Sequence, residues 1–132
     1  MNPREIDDAY ASADETFATL AGYSPLDSDP QVLNAVLGEP ATSTDGGWFL
    51  ESREFISSRD LRRHLNWILD FAEPRSSLLD RLRSEGWEFV VLCFWRSAFG
   101  HGGPVLDATT LRRLSKLALD LQFDLCFNSD NG

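Results

Sequence analysis

The ten residues from Trp87 to Arg96 read WEFVVLCFWR, and they restrict the fold more than any other stretch of the chain. Side chains of a β-strand point alternately to opposite faces of its sheet. Trp87, Phe89, Val91, Cys93 and Trp95 then share one face, and Val90, Leu92 and Phe94 share the other. A strand that is apolar on both faces belongs inside a sheet, covered at least in part on each side. Its longest unbroken apolar run, Phe89 to Trp95, has seven residues. A membrane-spanning helix needs roughly 20, so that class is excluded. At 132 residues the chain has the size of one domain.

Around this strand the chain alternates strands and helices. Residues 1–14 read as an acidic arm with Ile6 and Tyr10 as anchors, and Glu15 to Ala21 as a first strand. Asp29 and Pro30 suit a helix start, and Val32, Leu33, Val36 and Leu37 form its apolar stripe up to Gly38. Trp48 to Ser52 is a second strand after the turn-rich loop 39–47. Ser57 and Asp60 have capping-box spacing ahead of a helix that runs to Ala72. A short helix restarts at Ser77 with Leu78, Leu79 and Leu82 inward and stops at Gly86. After a glycine-rich loop, 98–104, Asp107 caps a last helix with Leu111, Leu114, Leu117 and Ala118 inward. The final strand, Leu121 to Phe127, alternates with Leu121, Phe123, Leu125 and Phe127 toward the core. Residues 128–132 form a polar tail, and 104–106 offers a further hairpin strand.

The order is β-α-β, two helices, β-α-β. That predicts an α+β fold on the ferredoxin-like, split β-α-β plan, with a helical insertion over 57–85 between the halves. Residues 15–127 then form the single domain. The insertion is expected to cover the second face of the sheet, which explains the two-sided apolarity of 87–95.

Several of these segments resemble a bacterial family called domain of unknown function 4279. They are the run from Leu33 to Ser52 (LNAVLGEPATSTDGGWFLES), the helix ending in Glu73-Pro74, the Leu-rich helix before Gly86, and FWRSAFGHGGPVLD from Phe94 to Asp107. The match spans roughly residues 15–127. The resemblance implies a small α+β domain with no established reaction. It also implies an association with the immunity proteins of toxin systems. The acidic arm and His101, where the pattern has a small polar residue, depart from it.

Charge separates the function classes. The net charge is −9. Residues 1–51 carry ten acids and one base, whereas residues 52–132 carry eleven of each. A nucleic-acid binder needs a basic stripe to replace phosphate counterions, so that class is set aside. A negative field steers a basic partner. Asp7, Asp8, Asp14 and Glu15 are the acids assigned that task.

Catalytic and metal chemistry find no support. Cys93 and Cys126 form no CxxC pair, and the two histidines, His64 and His101, are far apart in sequence, so no metal site and no cofactor are expected. His64 reads as part of a polar helix face. No nucleophile, base and orienter fall into a recognisable pattern, so an enzyme is not expected. Trp48 and Trp95, each beside a glycine-rich loop, are the candidate surface anchors, with Arg96, His101, Gly102 and Gly103 around them. The reading is a binding protein of the immunity-inhibitor type for a basic protein such as a toxin. The alternative is a small-molecule or regulatory domain with a pocket between sheet and insertion. The N-terminus lacks a basic-then-apolar leader, which predicts a cytoplasmic protein. Whether the chain is a monomer or a homodimer is left open by the sequence.

Overall fold

The strand read from the sequence is present as β3 (Glu88–Ser97), and it sits inside a four-stranded sheet. The computed structural model describes residues 13–25 and 28–127. Asp7, Asp8 and the tail 128–132 lie outside the described residues.

In chain order the elements are β1 (Ala13–Tyr23), α1 (Val32–Leu37), β2 (Trp48–Glu51), α2 (Leu61–Ala72), α3 (Ser76–Ser84), β3, α4 (Ala108–Lys116) and β4 (Asp120–Cys126). Two 3-10 turns, Ser52–Glu54 and Glu73–Arg75, lie on either side of α2. The class is α+β, with the expected β-α-β, helical insertion, β-α-β order. The sheet is mixed, in the order β2-β1-β3-β4. β1 runs antiparallel to both β2 and β3, and β3 runs parallel to β4. So β3, α4 and β4 make a parallel crossover, while β1 and β2 are antiparallel neighbours.

All four helices pack on one face of the sheet. The core joins Ala18, Leu20, Trp48, Leu50, Phe89, Val91 and Cys93 of the strands to residues of every helix, such as Leu33, Leu69, Leu79 and Leu114. This corrects the expectation that the insertion covers the second face. α2 carries four large buried aliphatics, Leu61, Leu65, Ile68 and Leu69. Each contributes roughly 1.5–3 kcal/mol on burial. That stripe has only one place to go, the helix-side face that α1 and α4 also cover. The other face of β3, with Val90, Leu92 and Phe94, is half-buried.

Several local expectations shift by a few residues, for identifiable reasons. β1 is longer than 15–21 because it pairs with β3 from Ala13 opposite Ser97 to Tyr23 opposite Glu88. α2 starts four residues later than Ser57: Asp60 is itself the cap, accepting from Arg62 N–H at 3.0 Å and holding the Arg62 guanidinium. Asp29 accepts from Gln31 N–H at 3.0 Å in a turn ahead of α1 rather than capping it. Gly38 does end α1, at φ 75°, in the left-handed region that favours glycine. Asp107 caps α4 by accepting from Thr110 N–H at 3.2 Å. Residues 104–106 form no strand.

Two inward assignments are corrected as well. On α4, Leu114 is buried but Leu111 is exposed, and Ala118 is exposed at φ 55° beyond the helix end. On β4 and just past its end, Phe123, Leu125 and Phe127 are 39%, 43% and 42% exposed. β4 is the edge strand, so its inward-facing side chains reach past the helix layer instead of under it.

Candidate functional site

Among the described residues no helix packs on the second face of the sheet. Strand register assigns its residues. Phe17 lies opposite Phe94, Thr19 opposite Leu92, and Leu92 and Phe94 lie beside Gln122 and Asp124. Phe49 of β2 lies opposite Ala21 on the same face. The Phe17 and Phe94 rings stack with centroids 5.2 Å apart. The Arg53 guanidinium lies over the Phe17 ring, 3.9 Å from its centroid. A shallow cleft of about 450 Å³ runs between these side chains and Gln122 and Asp124. A second, of about 570 Å³, lies toward Tyr23, Glu88, Val90 and Asp120.

Carboxylates surround this aromatic strip. By register Glu51, Glu88, Asp120 and Asp124 all fall on the open face. Glu15 falls there too, opposite Arg96. The acidic rim therefore draws on both halves of the chain. The concentration of net charge in residues 1–51 gave no sign of this, because Glu88, Asp120 and Asp124 are balanced in sequence by arginines, of which Arg53, 3.7 Å from Glu51, and Arg96 stay on this face while others leave it. Arg113, for example, lies between α4 and α2, bound to Asp70 and Glu73.

The residues singled out from the sequence do not converge. Trp48 is fully buried, and its indole Nε1–H donates to Asn34 Oδ1 at 2.9 Å. Trp95 is 2% exposed. Neither lies at the surface: Trp48 belongs to the helix-side core, and Trp95 is buried with its ring 5.7 Å from that of Phe127. Trp48 lies opposite Gly22 and Trp95 opposite Thr16 on β1. Six strand residues separate those positions, about 20 Å at the usual rise. So a pocket shared by Trp48, Trp95, Arg96 and His101 does not exist. Arg96 is bound to Asp14 at 2.9 Å and faces Glu15 at 3.5 Å. One guanidinium between two carboxylates neutralises one of the two charges and leaves the group negative. His101 and Gly102 are exposed in a loop where Gly100 and Gly102 have φ of 81° and 92°. Ser97 Oγ donates to His101 O at 2.6 Å, which ties the turn to the end of β3. Gly103 is half-exposed in the same loop.

His64 corrects another expectation. It is not on a polar surface but 1% exposed, with Nδ1 2.6 Å from Ser52 Oγ and Nε2 2.9 Å from Ser58 O. A carbonyl only accepts, so Nε2 carries a proton. Ser52 Oγ also accepts from Ala18 N–H at 2.9 Å. A serine beside a histidine has the composition of a nucleophile and its base; here Ser52 is fully buried, while His64 borders a polar cleft. The pair joins the start of α2 to β1. Nearby, a polar cleft of about 380 Å³ opens between Asp14, Glu15 and Thr16 on one side and Arg53, Ser57 and Arg59 on the other.

Burial pushes the Cys93 thiol up to about 12. Among the described residues no group of three or more histidines, cysteines and carboxylates is placed to hold a metal ion. Among them, too, no helix is long and apolar enough to cross a membrane.

Sequence reasoning missed Phe17, Phe94 and Asp124 as site residues. The signal for two of them was present: the second apolar face of 87–95 includes Phe94, and strand pairing brings Phe17 opposite it. The family model described as Domain of unknown function (DUF4279) matches residues 28–128. No curated protein and no solved structure matches the chain.

Proposed function

The chain belongs to the DUF4279 family, and from that premise we propose that it is a non-enzymatic binding protein whose open sheet face receives a basic protein partner. The observation that carries this reading is the half-buried aromatic and aliphatic strip of Phe17, Leu92 and Phe94, bordered by Glu51, Glu88, Asp120 and Asp124. An apolar strip desolvates on contact and sets residence time. A carboxylate rim raises the association rate of a cationic protein and rejects anionic ones. An inhibitor of the immunity type works in this way: it covers a basic surface of a toxin and does no chemistry on it.

The test is capture from lysate at low and high salt, with Phe94→Ala and Asp124→Lys variants alongside. A basic protein retained at low salt, released faster by Phe94→Ala and captured more slowly by Asp124→Lys, supports the reading. Retention that ignores both substitutions moves the interface off this face and overturns it.

A second reading has one observation in its favour. The polar cleft of about 380 Å³ lies where β1 meets the start of the insertion, and it presents both carboxylates and guanidiniums. Such a lining suits a small zwitterionic ligand. A ligand bound only to the folded state raises thermal stability by mass action. A metabolite panel that gives no shift with wild type, or a shift that survives Arg59→Glu, removes this reading.

A further inference from the structure

The two edges of the sheet are finished differently. β2 at one edge has four residues, and its outer side is already taken. Ser43 bridges Phe49, with Phe49 N–H donating to Ser43 O at 2.9 Å and Thr42 N–H donating to Phe49 O at 2.7 Å. β4 at the other edge has seven residues and an unbroken register with β3. It contains no proline, lysine or bulge, and the charges that guard it are Asp120 and Asp124. Among the described residues no strand pairs with its outer side. Phe123 and Leu125 are also about two-fifths exposed on the helix side of that strand.

We propose that β4 pairs antiparallel with β4 of a second copy of this chain, about a two-fold axis through Phe123. The residue pattern selects this register. Centred on Phe123, the pairing sets Phe123 against itself and Leu121 against Leu125 of the second copy. It sets Gln122 against Asp124 on the other face. Centred on Gln122, it sets Asp120 against Asp124, and centred on Asp124, it sets two Asp124 carboxylates together. Like charges directly opposite are unfavourable, whereas aliphatic and aromatic pairs are favourable. A shift of one residue moves the apolar row of one copy onto the polar face of the other. Registers centred on Leu121 or Leu125 satisfy both conditions but pair only three residues of β4, whereas Phe123 is the strand's midpoint and its register pairs all seven. It keeps the helices of both copies on one side and lays the two open faces side by side in one eight-stranded sheet.

The test is sedimentation of the full chain over a concentration series at two salt concentrations. Both copies are acidic, so higher salt strengthens the dimer, the reverse of its effect on a basic partner. Failure of this inference and failure of the proposed function are therefore distinguishable. Gln122 is exposed, so its substitution leaves the fold intact. Gln122→Asp sets two carboxylate pairs across the interface and weakens dimerisation by about 3- to 10-fold, and Gln122→Lys strengthens it by a similar factor. Phe123→Cys, with Cys126 replaced by serine, oxidises to a disulfide-linked dimer, since opposed strand residues lie within disulfide reach. A monomer at every concentration overturns the proposal and leaves the edge to a strand from another protein or to a segment outside the described residues. A dimer indifferent to both Gln122 substitutions overturns it too, because the contact then lies elsewhere.

Discussion

Ser52 Oγ lies 2.6 Å from Nδ1 of His64, and both side chains are buried. With Nε2–H donating to Ser58 O, a neutral His64 takes its second hydrogen bond from the Ser52 hydroxyl. Ala18 N–H, on the central strand β1, completes the chain by donating to the same Oγ. Three segments far apart in sequence are thereby locked in one relative position.

Ser52→Ala removes the acceptor of Ala18 N–H and the partner of His64 Nδ1 together. Leaving a buried polar group unpaired costs about 1–3 kcal/mol. The expected outcome is a loss of at least that size in urea unfolding, with an unchanged far-UV spectrum. Stability equal to wild type removes Ser52 from the fold's framework.

Arg113 holds the α2–α4 contact. It donates to Glu73 Oε1 and Oε2 at 2.8 Å each, to Asp70 Oδ1 at 2.7 Å, and to Asn66 Oδ1. Hydrogen bonds donated to Glu73 and Asp70 raise its pKa above the ordinary arginine value, so it is charged at every working pH. The guanidinium is largely buried while both acids are half-exposed or more. Solvent screens part of the attraction, so Arg113→Met costs about 1–2 kcal/mol rather than the full value of a buried pair. Arg113→Lys recovers only part of this, because an ammonium lacks the planar fork. Thermal melts of the two variants check the order.

Asp107 makes stability depend on pH. Hydrogen bonding from Thr110, whose N–H lies 3.2 Å from Oδ1, holds the Asp107 carboxyl below its ordinary value. A lowered native pKa contributes stability that is present above the unfolded-state pKa. That contribution is lost as pH falls through the native one. Asp107→Ala therefore costs about 1 kcal/mol near neutrality as a lost helix cap. The gap from wild type then closes as the pH is lowered below about 4. A gap that persists into strong acid contradicts the assignment.

The thiols divide cleanly. Burial pushes Cys93 up to about 12, while Cys126 is half-buried at the end of β4. A thiolate is the reacting species, so Cys93 is inert at neutral pH in the folded protein. Aromatic disulfide titration is expected to count one thiol in the native protein and two after unfolding. Two fast native thiols contradict the packing of β3 against the helices.

Local periodicity carried much of the fold. The alternation of 87–96, the stop at Gly38, the cap at Asp107 and the helical stripe Leu61-Leu65-Ile68-Leu69 are all short-range patterns. Each is visible within one or two turns or one strand, because 3.6- and 2-residue periods are set by backbone geometry alone. The α+β class and the helical insertion follow from their order.

Tertiary structure decided what those patterns face. The sequence showed two apolar sides to β3, but only packing determined that all the helices share one of them and leave Leu92 and Phe94 half-buried on the other. The sequence offered Trp48 and Trp95 as surface anchors, and the fold buries both. It set Arg96 beside Trp95 as a candidate binding group, and an ion pair with Asp14, from a strand 82 residues away, binds it. It classed His64 as polar surface, and a hydroxyl twelve residues earlier made it core. Strand order and helix placement depend on contacts between residues distant in sequence, and no short window contains both partners. The amphipathic pattern states that a face must be buried. Which surface buries it, and which carboxylate meets which guanidinium, is settled only when the whole chain has closed.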